Sequence, residues 1–579
     1  GVRLVGSEMC IRDRDYVSWI LRLIMPFIAL AIVIRTFVSL RYNRRNEGAL
    51  IVLEDEDSQK VYPVKYWETS IGRSRGSDVR LTNPMVSRDH AVLLRREAGW
   101  FVTDTGSKAG VTVNDKPITG RTAVYIGDRI NIGGTILVVR RADDYGDNSQ
   151  EEHCTKKSKP PKRTIAPSFL LFLVTLFTIM FAAEICINLE NLDVAPIAAV
   201  YIVFMWVFFI VTRLCIKRVT FELESLALFL SSIGILLASS HSTKTGWVQL
   251  ASAIIGVIGF CLLLKFIEIP DRVMKWRLII TIAAVVVLGL NLALGKVTHG
   301  AANWIVIGPV SIQPSEFVKI AYIFVGASTL DSLLTKKNLT EFIIFTAICI
   351  GALFIMSDLG TAVIFFVTFL VIAFMRSGDI KTVILAISAA VFGAMLVLTA
   401  RPYIANRFAI WGNVWLDPDD KGYQQVRTLI YSASGGLFGT GAGTGGLQNI
   451  FASESDLVFG LVCEEMGFII ALLIAVSLAG LVLYARAVTT RSRSSFYSIA
   501  ACSAAALLVF QASLNIFGST DILPLTGVTL PFISAGGSSM MSCWCLLAFI
   551  KAADERTYAM KRKSLKKATM PNGDDVIEI

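Results

Sequence analysis

The sequence predicts a polytopic α-helical membrane protein with one small β-sandwich set into its N-terminal part. Of 579 residues, 54% are hydrophobic and 17% charged, and mean hydropathy is +0.61; a soluble chain carries about 25% charged residues. Apolar stretches recur at the length of about 20 residues that a helix needs to cross a bilayer. Over residues 48–141 that pattern stops. Short alternating apolar runs separated by Gly, Asn and Asp take over, the signature of strands and turns.

Charge and cysteine use narrow the possible functions. A formal net charge of +10 would suit nucleic acid in a soluble protein, but cytoplasmic loops of a membrane protein carry excess Lys and Arg and account for it. No nucleic-acid partner is expected. The 10 cysteines lie mostly in apolar runs without zinc or disulfide-framework spacing, and the 4 histidines (His90, His153, His241, His299) stand far apart. Carboxylates must supply any acid–base or metal chemistry.

Residues 1–15 form a leader without an interpretable motif. Residues 16–40 are apolar and end on Arg41-Tyr42-Asn43-Arg44-Arg45, which marks a transmembrane anchor with a cytoplasmic C-terminal flank. In 48–141, strands are expected at 49–53, 59–64, 91–94, 100–103, 129–132 and 136–139, forming a cytoplasmic β-sandwich. Within it stand Ile71-Gly72-Arg73-Ser74, Val86-Ser87-Arg88-Asp89-His90-Ala91, Asp104-Thr105-Gly106-Ser107 and the Gly-flanked run 127–133. This set and order resemble the forkhead-associated (FHA) domain, a phosphothreonine-reading module. The resemblance implies that Arg73, Ser87 and Arg88 hold the phosphate of a phosphothreonine protein, while His90 braces the loop from within. A phosphate dianion suits a guanidinium with hydroxyl and backbone donors. Ala109 replaces the Asn with which the family grips the ligand backbone, so a module that contacts protein without reading phosphate is the second reading.

Residues 142–164 form a charged linker whose run Lys156-Lys157-Ser158-Lys159-Pro160-Pro161-Lys162-Arg163 reads as a tether to anionic membrane lipids, at about 1 kcal/mol per basic residue. Two additional spans occupy 165–218, at 165–188 and 195–213. Further spans are expected at 221–240, 246–267, 278–295, 315–333, 340–357, 360–375, 382–399, 457–484, 497–517 and 531–550, with a charged tail over 553–579. Basic clusters such as Arg213/Lys217/Arg218, Lys336/Lys337 and Arg486/Arg491/Arg493 fall on alternate sides of successive spans. They place the sandwich and the C-terminus in the cytoplasm and the loops 296–314 and 400–456 outside.

Polar motifs gather at the span mouths. Trp304 stands in the first outer loop, and Gln313-Pro314-Ser315-Glu316-Phe317-Val318-Lys319 opens the next span with Ser315 and Lys319 on one face. Glu316 reads either as a charge capping a helix N-terminus or as a substrate-binding group. Asp358-Leu359-Gly360-Thr361 starts another span, with Asp358 as a cap. Then follow Ser453-Glu454-Ser455-Asp456, Glu464-Glu465-Met466-Gly467, the polar run 511–515 and the Pro- and Gly-rich run 524–539. A carboxylate sunk into lipid costs roughly 2.5–3.5 kcal/mol at mid-bilayer, so Asp456, fixed where a span begins, asks for a reason. Glu464 and Glu465 read either as structural partners across the bundle or as substrate groups. Gly441-Ala442-Gly443-Thr444-Gly445-Gly446 fits G-x-G-x-x-G but follows no strand and faces outward, which points to a flexible loop closing over a sugar chain.

In this order the motifs resemble the SEDS family of FtsW, RodA and SpoVE, polymerases of cell-wall peptidoglycan, over residues 219–552. The resemblance implies a core of about ten spans in the bacterial cytoplasmic membrane, preceded here by about three extra N-terminal spans and the FHA-like sandwich. It implies glycosyl transfer between molecules of lipid II, serving division or cell-shape growth, with a class B penicillin-binding protein transpeptidase as partner. Asp456 falls on the family's key Asp, as catalytic base or as ligand of a divalent metal ion, Mg or Mn; Glu454-Ser455 stands where many members have His-Thr. Trp304, Lys319 and Arg407 fall on the family's Trp, motif Lys and loop Arg, and join Glu316 as substrate-binding residues, Lys319 and Arg407 stabilising pyrophosphate. The alternative is a lipid II flippase, since carriers also combine many spans with intramembrane polar residues. A carrier would hold its ionisable site near mid-bilayer, whereas Asp456 closes a long outer loop.

Overall fold

The computed structural model describes residues 2–42, 49–142 apart from 75, 97–98 and 119, 167–214, 220–377 apart from 299–300, 308–309 and 329–335, parts of 380–391, then 410–489 and 494–554. The chain begins with one long helix, α1 (Val2–Tyr42), which contains both the leader and the expected anchor, Tyr16–Ser39. The sandwich follows as two sheets. In one, strand Ile51–Asp55 pairs antiparallel with Val61–Val64 on one side and Thr135–Arg141 on the other. In the second, strand Glu68–Gly72 lies between Val79–Arg80, parallel to it, and Ala91–Arg96, antiparallel. Alternate residues such as Leu53, Ile71, Leu93, Val102, Ile130 and Leu137 face inward and form the sandwich core, as the period of two in strands requires.

Helices α2 (Pro167–Leu189), α3 (Ala195–Leu214), α4 (Glu222–His241), α5 (Thr243–Phe266) and α6 (Pro270–Leu294) come next. A small antiparallel sheet, Lys296–Thr298, Ala301–Ile307 and Val310–Ile312, separates them from α7 (Pro314–Ala327), α8 (Lys336–Ile355) and α9 (Leu359–Ser377). The remainder is α10 (Tyr423–Ser434), α11 (Val458–Thr489), α12 (Ser495–Ser519) and α13 (Gly537–Ala552). Among the described residues eight helices are long and apolar enough to cross a membrane, with shorter apolar helices at Thr340–Ile355, Leu359–Met375 and Gly537–Ala552. The protein is a multi-pass membrane protein in which α4, apolar or small beyond the Glu222 and Glu224 of its first turn, is enclosed by its neighbours.

The structure moves several boundaries: the helix expected from 278 begins at Pro270, and the one expected to end at 484 runs to Thr489. The span expected from 531 begins only at Gly537, because 530–534 closes a turn in which Phe532 takes φ +66° and the Ser534 hydroxyl accepts the Leu530 N–H (2.7 Å). The expected span 382–399, most of the linker and tail, and Arg407 lie largely or wholly outside the described residues.

Candidate functional site

Asp456 lies half-buried in the last turn before α11, its N–H donating to Ala452 O (3.0 Å). The chain around it is pinned by side chains from other helices. Asn515 Nδ2 on α12 donates to Asp456 O (2.9 Å) and to Val528 O (2.7 Å). Ala535 N–H donates to Glu454 O (2.9 Å), and Ser534 Oγ to Ser455 O (2.6 Å). Gln249 Nε2 on α5 in turn holds Ser534 O (2.8 Å). The runs 453–456 and 527–535 are therefore one unit. Gly527, at φ +70°, faces the carboxylate, and a Cβ there would lie 3.4 Å from Asp456 Oδ2. Glu454 Oε1 sits 2.9 Å from His241 Nε2, at the C-terminal end of α4 where the helix dipole favours a cation. Burial pushes the Glu454 carboxyl up from its ordinary value, and His241 draws it partly back. Glu454 also lines a crevice with Gly234, Val458, Ile533 and Ala535.

Glu316 and Lys319, at i, i+3 on α7, are both buried. Lys319 Nζ donates to Glu316 Oε1 (2.6 Å) and Gln511 Oε1 (2.9 Å), and Ser542 Oγ on α13 donates to Glu316 Oε2 (2.6 Å). Charges in a bilayer interior persist when paired and hydrogen-bonded, and this cluster meets that condition. Gln511 Nε2 also donates to Thr529 O (3.0 Å). Gln511 and Asn515 are one turn apart on α12, so a single helix face joins the Lys319 pair to the Asp456 backbone. Sequence reasoning named the run 511–515 without a role; two amides at i, i+4 in an apolar span were the signal. Glu316 points to Lys319 and α13 rather than to the end of its own helix. Asp358 caps α9, Oδ1 accepting the Thr361 N–H (3.1 Å). Trp304 is half-buried on strand Ala301–Ile307, opposite Lys296.

Glu464 and Glu465, two turns into α11, meet a backbone requirement. The Gly-rich stretch after α10 folds along α11, with Thr440 N–H donating to Glu464 O (2.8 Å) and Gly441 N–H to Glu465 O (3.1 Å). Gly443 N–H then donates to Glu465 Oε2 (2.9 Å), Gly446 N–H to Glu464 Oε1 (2.6 Å), Leu447 N–H to Glu464 Oε2 (3.0 Å), and Gln448 Nε2 to Glu465 Oε1. Non-helical backbone at membrane depth must find its partners inside the protein. Gly439, at φ +83°, has no room for a side chain, since a Cβ would stand 2.1 Å from Glu465 O. The G-x-G-x-x-G run is thus a packed loop, and the acid pair takes the structural reading.

In the sandwich, Arg73 N–H donates to Ser87 O and Ser74 N–H to Arg88 O (both 3.0 Å), which sets Arg73, Ser87 and Arg88 on adjoining loops with both guanidinium groups exposed. Ser87 Oγ accepts the Lys108 N–H (3.1 Å). His90 is fully buried; Nδ1 accepts the Ser87 N–H (3.0 Å) and Nε2 lies 3.0 Å from Gly110 O, so a ring protonated at Nε2 satisfies both and braces the loop. The other end of strand Glu68–Gly72 meets the helical bundle. The Glu68 carboxylate accepts from Ser494 Oγ (3.0 Å) and from the N–H (3.1 Å) and hydroxyl of Ser495, and the Trp67 ring stands edge-on to Tyr497.

Bundle, pinned acidic turn and appended sandwich together define a membrane-embedded enzyme core with an FHA-like module. The profile of the FtsW/RodA/SpoVE cell cycle proteins matches residues 213–559, and that of the FHA domain residues 69–133. The chain is 32% identical over 308 residues to the probable peptidoglycan glycosyltransferase FtsW of Buchnera aphidicola subsp. Acyrthosiphon pisum, covering 51% of this chain and 77% of that protein. It is 31% identical over 303 residues to the stage V sporulation protein E of Bacillus subtilis, covering 50% and 82%. A solved structure described as "Structural coordination of polymerization and crosslinking by a peptidoglycan synthase complex" is similar at a TM-score of 0.48 and 24% identity, over 58% of this chain and 98% of that one. The chain belongs to the FtsW/RodA/SpoVE family, the SEDS glycosyltransferases of cell-wall synthesis.

Proposed function

We propose that this protein polymerises lipid II into glycan strands at the outer face of the bacterial cytoplasmic membrane, with its FHA-like module and C-terminus in the cytoplasm. The observation that carries the reading is Asp456, a carboxylate at the head of a span, facing a residue without a side chain and fixed by Asn515 and Ser534. In the reaction an acceptor sugar hydroxyl oxygen bonds to the donor's anomeric carbon as the bond to undecaprenyl pyrophosphate breaks. A sugar hydroxyl is a weak nucleophile, and Asp456 accepts its proton, a role worth roughly 10²–10⁴-fold in rate. Pinning the backbone on both sides of the carboxylate holds it in reach of that proton. The departing pyrophosphate needs positive charge, which we assign to Arg407. Lys319 is held by Glu316 and Gln511, so we give it the task of ordering α12 and, through Asn515, the Asp456 turn. Trp304 packs on lipid or sugar.

Among the described residues no three His, Cys, Asp or Glu side chains converge. Asp456 together with substrate phosphate oxygens is a donor set that Mg²⁺ accepts, since it is commonly held by one or two carboxylates plus phosphates. Bound there, Mg or Mn would neutralise developing charge on the leaving group. We further assign a class B penicillin-binding protein as partner, and a phosphothreonine protein at Arg73, Ser87 and Arg88. The test of the central reading is lipid II polymerisation by the purified chain, with and without a transpeptidase and divalent metal. Polymer from the wild type and none from Asp456→Ala is the expected result; equal polymer from both would refute it. Titration with phosphothreonine peptides should show about tenfold or greater weakening in Arg73→Ala, through loss of a charge-assisted pair; identical binding would end the phosphate-reading assignment.

A further inference from the structure

The helices that enter and leave the sandwich, α1 and α2, lie outside the family core at 213–559. They nevertheless grip a core loop, through the middle of α1 and the C-terminal end of α2. Arg22 Nη1 donates to Gly439 O (3.0 Å), and Asn188 Nδ2 donates to Ala442 O (2.9 Å). Ala442 N–H donates to Glu184 Oε1 (3.2 Å), which lies 3.7 Å from Arg22 Nε. Ser18 Oγ donates to Asn188 Oδ1 (3.0 Å) and so orients that amide. The packing is close: a Cβ on Gly441 would stand 3.0 Å from Asn188 Nδ2, and one on Gly443 3.1 Å from Leu189 Cγ. The opposite face of the same stretch is bonded by Glu464 and Glu465. Beyond Leu447 the chain turns back through Ser453, whose hydroxyl donates to Gln448 O (3.4 Å), and closes on Asp456.

We propose that Arg22, Glu184 and Asn188 are positioning residues for glycosyl transfer. They complete a two-sided clamp on the loop 439–443, so that the run ending at Asp456 keeps its place against 527–535. This rests on the reading of Asp456 given above. The sandwich lies in sequence between α1 and α2, the two helices that hold the loop leading into the acidic turn. From Arg22 to the end of α1 is about 30 Å at 1.5 Å per residue.

The test uses the full-length protein in lipid nanodiscs, as wild type, Arg22→Ala, Arg22→Lys, Asn188→Ala and Ser18→Ala. Hydrogen exchange over 439–447 is read beside kcat and KM for lipid II. Arg22→Ala and Asn188→Ala should raise exchange in that stretch and lower kcat about tenfold or more, as small misplacements of a reacting group do, with KM within about twofold. Arg22→Lys, keeping charge beside Glu184, should recover part of both. Ser18→Ala removes only the hydroxyl that orients Asn188 and should move both readouts the same way, less far, which keeps the test decisive should Arg22→Ala fail to fold. Unchanged exchange overturns the clamp. Raised exchange with wild-type kcat, or a rise confined to KM, overturns the positioning role. Absence of polymer from the wild type would count against the proposed function instead, and exchange alone would then decide the clamp.

Discussion

Two acidic runs open the same helix and do different work. Glu464 and Glu465 are the more deeply buried, and burial of a carboxylate at membrane depth is the usual mark of function. Their oxygens nevertheless accept from Gly443, Gly446 and Leu447 N–H groups and from Gln448, and they hold a non-helical loop in place. Asp456, nearer the helix start and half-buried, lies with its Oδ2 facing Gly527, and its main-chain O accepts from Asn515. What a carboxylate does at a membrane is decided by what its oxygens meet, and depth alone is a poor guide.

The sharpest test of that contrast exchanges one oxygen for nitrogen. Asp456→Asn keeps shape and removes the base, so polymer formation should fall about 10³-fold while the melting temperature in detergent stays at the wild-type value. Glu465→Ala should do the reverse to stability. It leaves the half-buried Gly443 N–H and Gln448 amide without their acceptor, and at about 1 kcal/mol for each, the low end for such groups, a loss of about 2 kcal/mol should appear as a lowered melting temperature. If the two variants lowered stability equally, the division of labour between the runs would be wrong.

The fold was legible where a strong constraint writes itself locally. The bilayer demands apolar length, and the helices at 167–189, 195–214 and 222–241 follow hydropathy closely. Alternation located the sandwich but missed strand Glu68–Gly72, whose Thr69 and Ser70 lack apolar contrast although the strand is paired on both sides in its sheet. Leu530-Pro531-Phe532-Ile533 is apolar enough to join a span, yet it closes a turn instead, with Phe532 at φ +66° and the Leu530 N–H held by the Ser534 hydroxyl. In the site, motif order singled out Asp456. The partners of Glu464 and Glu465, and the reach of Arg22 to Gly439, join residues far apart in the chain, and no local pattern encodes them.

Gly527 tests whether the contact surface of Asp456 matters beyond the carboxylate itself. Its φ of +70° is strained for any L side chain, while the added methyl would meet Asp456 Oδ2 at an ordinary 3.4 Å. Gly527→Ala should therefore cost about 1 kcal/mol of stability, seen in thermal melts, and lower kcat severalfold, less than Asp456→Asn. A variant with wild-type kcat would show that the carboxylate tolerates a crowded face, and the contrast would then rest on chemistry alone.

The smallest effect is expected at Glu454, the acid beside Asp456, whose carboxylate faces His241 Nε2 at 2.9 Å. Burial raises its carboxyl above the ordinary value of 4.5, with His241 opposing. A folded-state value above the unfolded one favours the protonated form in the fold. The associated stability is present below the unfolded value and is lost as pH rises through the folded one. Melting temperature should therefore decline slightly through this group as pH rises above the ordinary carboxyl range of about 4, and Glu454→Gln should flatten that decline. The change stays small because the pair is partly open to solvent and screened. If Glu454→Gln kept the wild-type slope, His241 would be holding Glu454 ionised across the range, and the acidic turn would carry a second fixed charge next to Asp456, closer in kind to the pair deeper in the helix.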